Sequence, residues 1–305
     1  METLPKSVEL RIASTANILV TGATGLLGCA LVPLLEERGH TVTRHGFRGA
    51  AEVNADLCSF EQTAAMLSQC KPDCIINLAA LTNVDTCELE PHSAYLLNVT
   101  TVENVCRWIK QEAHDCHLIQ ISTDQLYDGS GPHREDQLTV SNCYAFSKIA
   151  AEIAAASVSS TILRTNFFGL SRCVGRASFS DWIYQSLQQG LAMQVFEDVL
   201  FSPLSLATLC DMIERVVRQR PLGIFNLGAH DGLSKADFAY ALAEALDLPC
   251  QTMRRTRSSE MPALKAYRPK DMRMDSTRFE QRLGVQLPKL IDEIISMRSH
   301  YLESA

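Results

Sequence analysis

The stretch Thr21-Gly-Ala-Thr-Gly-Leu-Leu-Gly28, with a glycine at every third position, decides the expected fold. An apolar segment, Asn17–Val20, precedes it, and Leu26–Arg38 follows with the apolar spacing of a helix that stops at Gly39. In such a unit the glycines allow a tight turn, approach of a pyrophosphate to the backbone, and close helix packing. The helix N-terminus then offers free N–H groups to the phosphates. The pattern predicts a dinucleotide site made by Gly22, Thr24, Gly25, Leu26, Leu27 and Gly28.

Apolar strands and amphipathic helices alternate along the first half of the chain. The expected strands are 17–20, 41–43, 74–78, 117–122 and 161–164, and the expected helices are 26–38, 60–70, 91–113 and 144–157. A continuous apolar run such as Cys74–Leu78 is typical of a strand buried on both faces. We therefore expect an α/β fold, a Rossmann-like doubly wound parallel sheet with a smaller C-terminal substrate lobe.

The rhythm changes after Asn166, where a polar loop over 169–178 begins. Further helices are expected at 179–189, 204–218, 235–246, 276–283 and 288–301, strands at 194–196 and 224–227, and irregular structure at 254–269. We predict four parts: an N-terminal tail (1–16), an NAD(P)-binding Rossmann domain (17–165), an interleaved return to it (about 200–228), and a substrate-binding lobe (166–199 and 229–305).

Composition narrows the functional class. The 305 residues carry a net charge of −7, which argues against nucleic acid as the main partner. No apolar run reaches the length of a membrane span, and Met1–Ala16 lacks the apolar centre of a signal peptide, so a cytoplasmic protein is expected. The eleven cysteines are scattered, which favours reduced thiols, and neither cysteines nor histidines show metal-ligand spacing. No metal is expected, and a homo-oligomer is compatible with the composition.

The segment after the second expected strand bears on cofactor choice. An acid usually lies there in NAD-preferring sites, whereas this chain has Arg44 and Arg48. A guanidinium suits a 2′-phosphate, so we expect NADPH, with NADH and ordinary surface arginines as the alternatives. Asp56 and Leu57 are expected to bound the adenine, and Ala79, Ala80 and Leu81 to line the cofactor channel.

A second motif predicts the chemistry. Tyr144 and Lys148 are four residues apart, so on a helix they share one face. A free Tyr titrates near about 10, and a neighbouring ammonium would lower its pKa and could also hold the nicotinamide ribose. Thr123 follows an apolar strand at the edge where doubly wound folds bind ligands. Tyr144, Lys148 and Thr123 are therefore the catalytic candidates; the alternative for Tyr144 is a core aromatic on an Ala-rich helix.

These residues together resemble the extended short-chain dehydrogenase/reductase superfamily. Within it the chain is most similar to the dTDP-4-dehydrorhamnose reductase family, with its RmlD-like substrate-binding part, over nearly its whole length. The supporting stretches are Thr21–Gly28, Asn77–Asp85 before Glu90-Pro91, Leu97–Val99, Ser122–Asp124, Tyr144–Lys148, Ile162–Thr165, Arg268-Pro269 and Asp275–Thr277.

The resemblance implies a reaction and roles. The reaction is NADPH-dependent reduction of a nucleotide-linked 4-keto-6-deoxy sugar, with hydride delivered to C4 and Tyr144 as the general acid. Asn98 would help to bind the cofactor, and Thr123, Asp124 and Phe167 would contact the sugar. The chain departs from the family pattern at Phe167, where Trp is usual, at Ala145, where Gly is common, and at Met272-Arg273-Met274, where Ser-x-Leu is common.

The same likeness supports two other readings. The regulatory β subunit of methionine adenosyltransferase shares the fold and binds NADP, and Gly46-Phe47-Arg48 fits that relative. The third reading is a nucleotide-sugar epimerase or dehydratase, but a dehydratase usually has an Asp-Glu pair where this chain has Asp124-Gln125.

The basic residues of the second half provide one further hypothesis. An acidic protein needs local cations to bind a nucleotide diphosphate. We predict that basic side chains of the second half bind the substrate diphosphate; the alternative is that they form an ordinary solvated surface. The candidates are Arg172 or Arg176 on the loop, with Arg254, Arg255, Arg257, Lys265 and Arg268.

Overall fold

The computed structural model describes residues 15–49, 51–112 and 115–303. Within these ranges the strands are β1 (Asn17–Thr21), β2 (Thr41–Gly46), β3 (Val53–Asn54), β4 (Cys74–Asn77), β5 (His117–Thr123), β6 (Ser160–Thr165), β7 (Phe167–Phe168), β8 (Met193–Phe196), β9 (Leu200–Phe201), β10 (Leu204–Ser205), β11 (Gly223–Leu227), β12 (Leu233–Ser234) and β13 (Met253–Thr256). The α-helices are α1 (Leu26–Glu37), α2 (Phe60–Cys70), α3 (Val84–Leu89), α4 (Pro91–Tyr95), α5 (Thr101–Glu112), α6 (Cys143–Ala155), α7 (Phe179–Gln188), α8 (Leu206–Gln219), α9 (Lys235–Ala245), α10 (Thr277–Leu283), α11 (Leu290–Ser296) and α12 (Arg298–Leu302).

The main sheet has seven parallel strands in the order β11-β6-β5-β4-β1-β2-β3. From β1 the chain adds β2 and β3 on one side, then crosses over to add β4, β5 and β6 on the other. Such a reversal opens a crevice at the carboxyl ends of the strands, where doubly wound folds bind ligands. The predicted Rossmann-like doubly wound sheet is confirmed, and its switch point lies between β1 and β4.

Both faces of this sheet are buried. Successive side chains of a strand point to opposite faces, so Ile18 and Val20 join one apolar core while Leu19 joins the other. The first core includes α1, α8 and much of the second half of the chain, and the second core includes α2, α5 and α6. Burial on both sides explains why the strands read as continuous apolar runs.

Helix α6 carries the Tyr–Lys motif, and its start is defined by a cap. The side chain of Asn142 accepts a hydrogen bond from the backbone N–H of Ala145 at 2.8 Å, which satisfies a donor of the first turn. Tyr144 therefore lies in the first turn, and Lys148 lies one turn later on the same face.

Two predicted helices are wrong as single elements. The predicted helix 91–113 is divided into α4 and α5 by a π-helical turn, Leu96–Thr100, and Ala113 lies outside the described residues. The predicted helix 288–301 is divided at Met297 into α11 and α12. The π turn adds a residue to the helix path, as π turns often do near functional sites, and here it brings Asn98 to an inward, 1% exposed position.

Two strands also differ from the prediction. β2 continues to Gly46, so Arg44 and His45 lie within the strand and not after it. β13 occupies part of the segment predicted to be irregular, because it pairs in parallel with β8.

The second half of the chain packs on the sheet as well as on itself. β11 extends the sheet beyond β6, whereas α9 and α11 pack on each other and share the first core. The division into a Rossmann domain and a substrate lobe stays a prediction, and residues 1–14 of the predicted tail lie outside the described ranges. No helix in the described part of the chain is long and apolar enough to cross a membrane.

Candidate active site and cofactor cleft

Two adjoining cavities open at the carboxyl edge of the sheet. The tyrosine cavity, of about 300 Å³, includes Thr123, Asp124, Tyr144, Lys148 and Phe167. The aspartate cavity, of about 330 Å³, includes Thr24, Asp56, Leu57 and 79–81. They share Gly22, Gly25, Leu78, Ala80 and Arg176, so the two form one continuous cleft that crosses the glycine turn.

The glycine turn has the geometry that the motif predicts. Gly22 has a φ of +64°, and a Cβ there would lie 2.9 Å from the backbone nitrogen of Ala79. At Gly28 a Cβ would lie 2.4 Å from the carbonyl oxygen of Ala23, so only glycine lets α1 pack this closely. At its glycines the turn therefore presents bare backbone to the cleft beside the N-terminus of α1, as a dinucleotide pyrophosphate requires.

Tyr144 and Lys148 both line the tyrosine cavity and are 7% and 4% exposed. The Lys148 ammonium donates to the carbonyl oxygen of Ile121 at 2.7 Å. Burial raises the pKa of the Tyr144 hydroxyl above its usual value, and the hydroxyl of Thr123, within hydrogen-bonding reach, partly opposes that shift. Tyr144 therefore keeps its proton at neutral pH in this state. The lowering of this pKa by Lys148 that is expected from the sequence stays a prediction; in this structure the Lys148 ammonium bonds to the backbone.

A buried ionic network lies behind Lys148. Glu152, one turn further along α6, accepts hydrogen bonds from Arg164 at 2.6 and 2.9 Å and from the hydroxyl of Ser122 at 2.5 Å. Arg164 and Glu152 are each 1% exposed. Burial lowers the pKa of Lys148 to about 8, and the Glu152 carboxylate opposes that shift. The network thus supports the charged form of Lys148 and fixes the strand end that carries Thr123.

The far wall of the tyrosine cavity is polar. Asp124 accepts a hydrogen bond from the side chain of Asn166 at 2.6 Å, and burial raises the pKa of Asp124 to about 6. Gln125 and Phe167 line the same cavity, and the Oε1 atom of Gln125 is buried with no hydrogen-bond partner. Hydrogen-bonding groups and one aromatic ring therefore surround the space next to Tyr144.

The predicted cations of the cofactor site lie at the margin of the aspartate cavity. Arg44 pairs with Glu36 at 2.7 Å and lies 3.9 Å from Glu52. The Arg48 guanidinium lies 4.8 Å from the centre of the Phe47 ring. Phe47 lines the aspartate cavity, whereas Arg44 and Arg48 line neither cavity. The two acids that flank Arg44 were not predicted, because they come from α1 and from beyond β2.

Asn98 lines neither cavity, and its contact with a cofactor stays a prediction. Its side chain bonds both polar backbone atoms of Leu81, at 2.7 and 3.1 Å, and donates to the hydroxyl of Ser147 at 2.9 Å. Every polar atom of this amide is used, so Asn98 holds the cavity wall at Leu81 against α6.

The basic candidates of the second half are dispersed. Arg255 pairs with Asp237 at 2.7 Å, Arg257 with Glu197 at 3.6 Å and Arg268 with Asp85 at 2.8 Å. Arg172 lines a separate cavity between α1, α8 and the C-terminal helices. Among these candidates Arg176 lines the cleft, and its guanidinium lies beside Gly25 at the glycine turn.

Asn166 and Glu152 are site residues that the sequence did not predict. Glu152 follows Lys148 at the spacing of one helical turn, which is visible in the sequence, but its pairing with Arg164 is not visible there.

Within the described residues no group of three or more His, Cys, Asp or Glu side chains could hold a metal ion.

The profile of the RmlD substrate binding domain matches residues 16–302. The chain belongs to this family. The match spans both the sheet and the second half of the chain, so it covers the whole cleft.

Several curated relatives of this family member are about a quarter identical to it. The probable low-salt glycan biosynthesis reductase of Haloferax volcanii is 27% identical and covers 92% of this chain and 97% of that protein. Methionine adenosyltransferase 2 subunit beta of Pongo abelii is 27% identical, covering 88% and 83%. The dTDP-4-dehydrorhamnose reductase of Aggregatibacter actinomycetemcomitans is 26% identical, covering 89% and 94%. Two reductases and an adenosyltransferase subunit are thus about equally similar to this chain.

Solved structures share the fold. A hypothetical dTDP-4-dehydrorhamnose reductase from Sulfolobus tokodaii is 30% identical, with a TM-score of 0.79, covering 90% of this chain and 98% of that one. The dTDP-4-dehydrorhamnose reductase of Bacillus anthracis, solved with NADP, has a TM-score of 0.81 at 22% identity, covering 94% and 98%. The predicted family and fold are confirmed. At the level of the family, the prediction of an oxidoreductase that uses a nicotinamide cofactor is confirmed as well.

Proposed function

We propose that this protein is an NADPH-dependent reductase of a nucleotide-linked 4-keto-6-deoxy sugar. The observation that carries the proposal is the continuous cleft: Thr123, Tyr144 and Lys148 line one end, and the glycine turn lies where the two cavities meet. A cofactor on the glycine turn would extend toward Tyr144, so the hydride donor and the proton donor would serve the same carbonyl.

The residues have the following roles in the proposal. Thr123 and Tyr144 hold the carbonyl oxygen of the sugar through their hydroxyls. The bound NADPH supplies the hydride to C4. Tyr144, which carries its proton at neutral pH, gives that proton to the oxygen. Lys148 holds the nicotinamide ribose, and its positive charge stabilises the phenolate that is left.

Recognition of the sugar is assigned to the polar wall. Asp124 and Asn166 bond each other and line the cavity with Phe167, so they offer hydroxyl partners beside an aromatic face. A carboxylate whose pKa is raised to about 6 by burial can be ionised at neutral pH and accept from a sugar hydroxyl.

The cofactor preference rests on charge at the aspartate cavity. Arg48, whose planar group lies over Phe47, is the better candidate for a 2′-phosphate, since Arg44 already faces two carboxylates. Asp56, Leu57 and residues 79–81 line the same cavity and would surround the adenosine. NADH stays the alternative cofactor.

A regulatory subunit similar to methionine adenosyltransferase 2 subunit beta is the second candidate. It is favoured by the 27% identity over most of both chains and by the Gly46-Phe47-Arg48 segment beside the cavity. Retention of Tyr144 and Lys148 does not separate the two, because a cofactor-binding subunit can keep a complete site. The proposal also includes a cytoplasmic location, a homo-oligomer, and the division into a Rossmann domain and a substrate-binding lobe.

The deciding experiment measures NADPH oxidation against a panel of nucleotide-linked 4-keto-6-deoxy sugars. Turnover of one of them, lost in Tyr144→Phe, supports the reductase. In parallel, the protein is mixed with a methionine adenosyltransferase catalytic subunit and run on a sizing column. A stable complex together with no turnover on the whole panel would replace the reductase with the regulatory subunit.

A further inference from the structure

Two cysteines from distant parts of the chain meet at the glycine turn. Cys29 lies in the first turns of α1, and its thiol donates to the carbonyl oxygen of Ala23 at 3.9 Å. Cys173 lies in the loop 169–178, and its thiol donates to the carbonyl oxygen of Thr24 at 3.0 Å. The two sulfurs thus rest on adjacent carbonyls of one turn, and the thiols are within hydrogen-bonding reach of each other.

The loop that carries Cys173 also carries Arg176, which lines both cavities. The backbone turns back between them, since the N–H of Arg176 donates to the carbonyl of Cys173 at 3.4 Å. At the tip, Val174 is fully exposed, and Gly175 has a φ of +74° with open space where a Cβ would point. The loop is therefore held to the glycine turn chiefly at Cys173 and is free at its tip.

Accessibility separates this pair from the other neighbouring cysteines. Cys29 and Cys173 are both partly exposed, as a thiol must be to meet a reagent. Cys74 and Cys116, which also lie near each other, are both buried. Cys87, the neighbour of Cys143, is buried as well.

We infer that Cys29 and Cys173 form a reversible disulfide that ties the loop 169–178 to the glycine turn and thereby slows exchange of the cofactor. The oxidant is a low-molecular-weight disulfide such as oxidised glutathione. The Cys173 thiolate attacks one of its sulfurs and releases one small thiol. The Cys29 thiolate then attacks the mixed disulfide at the Cys173 sulfur and releases the second, so two protein thiols are oxidised and one small disulfide is reduced.

The direction of attack follows from the surroundings of the two thiols. Burial raises the pKa of Cys29, and the neighbouring Cys173 adds to that shift, so Cys29 is the poorer first nucleophile. The effect on exchange depends on the proposed cofactor site, because a tied loop keeps Arg176 beside Gly25, where the pyrophosphate would pass.

The first test is covalent and does not depend on the proposed function. The reduced protein is treated with oxidised glutathione, blocked with an alkylating agent and digested with trypsin. Cleavage after Arg and Lys releases Cys29 in a fragment of residues 12–38 and Cys173 in the tetrapeptide 173–176, each with one cysteine. We expect these two fragments joined in the oxidised sample and separate after reduction. A different linked pair, or none, would overturn the inference.

The second test follows release of NADPH by stopped-flow fluorescence. In the oxidised wild type we expect release severalfold slower than in the reduced protein, restored by a thiol reductant. Cys173→Ser should remove the difference, and Cys29→Ala should do the same, so that poor folding of one variant does not decide the result. Cys250→Ser, at a partly exposed cysteine that lines neither cavity, should keep the difference. Linked fragments with equal release rates would refute the gating. A reduced protein that binds no NADPH would instead count against the proposed function.

Discussion

The tyrosine cavity and the aspartate cavity are built in different ways. In the first, Tyr144, Lys148 and Glu152 follow one another at single-turn spacing on α6 and are all buried. At the margin of the second, Arg44 lies within β2 and Arg48 just after it, and each contacts an acid or a ring of its own neighbourhood. Groups that carry out a reaction must be fixed, whereas groups that recognise the far end of a cofactor can be adjustable.

The energies of the two networks differ accordingly. The Arg164–Glu152 pair is 1% exposed on both sides, and loss of one partner of such a pair typically costs about 3–5 kcal/mol because a bare charge stays buried. The Arg44–Glu36 pair is 43% and 39% exposed, and exposed pairs contribute about 0–1 kcal/mol. Substitutions near the tyrosine cavity should therefore affect stability as well as activity, and those near the aspartate cavity mainly selectivity.

The largest expected effect tests the tyrosine cavity. Tyr144→Phe removes the proposed proton donor, and loss of a general acid lowers the rate about 10²–10⁴-fold. NADPH binding, followed by fluorescence, should change little. Tyr184→Phe is the matched control, because the Tyr184 hydroxyl accepts a hydrogen bond from the exposed Gln188 and lines neither cavity. Near-normal turnover of Tyr144→Phe on the true substrate would refute the mechanism.

The next effect tests the aspartate cavity. We expect wild type to bind NADPH more tightly than NADH, since a charge-assisted contact is worth about 1.5–3 kcal/mol, or about ten- to a hundredfold. Arg48→Ala should lose most of that preference, and Arg44→Ala should lose less because Arg44 is already paired. Titrations of both cofactors check this, with the exposed Arg282→Ala as control. Equal affinities in wild type would contradict the assignment.

A pH profile tests the tyrosine cavity through the protonation state of Lys148. The pKa of Lys148 is lowered to about 8 by burial, so its charge, and the rate that depends on it, should fall as the pH rises through that value. Glu152→Gln removes the carboxylate that opposes the shift, so the fall should begin at a lower pH. The measurement is kcat/KM against pH, with the exposed Glu244→Gln as control. A profile unchanged in Glu152→Gln would show that Glu152 does not act on Lys148.

The smallest effect concerns the basic residues predicted to bind the substrate diphosphate. Arg255 is paired with Asp237 on the surface, and surface substitutions usually change stability by less than about 0.5 kcal/mol. Arg255→Ala should leave the KM of the sugar nucleotide and the melting temperature nearly unchanged. A KM raised about tenfold or more would restore the diphosphate hypothesis for this segment.

Local patterns are sufficient to predict the sheet, the glycine turn and the Tyr–Lys helix. Each depends on residues close together in sequence: an apolar run, three spaced glycines, or two side chains one turn apart. The π turn at Leu96–Thr100 is not predictable in this way, because the hydrogen bonds that hold Asn98 in its inward position are made with Leu81 and Ser147, which are distant in sequence.

The remaining features depend on contacts between distant segments. Glu152 meets Arg164 across α6 and β6, and Arg176 reaches the glycine turn only because the loop 169–178 folds back over it. A guanidinium in a sequence gives no sign of which carboxylate it will meet, which is why the pairing of Arg44 could not be predicted.

The first apolar core runs without interruption from the sheet into the second half of the chain. Ile18 and Val20 of β1 share it with Phe238 of α9 and Ile294 of α11. A hinge motion that separates the two walls of the cleft would therefore have to disrupt that core. Opening and closing of the cleft must therefore involve the surface segments at its entrance. A chain divided between its two halves would expose a large apolar surface and aggregate.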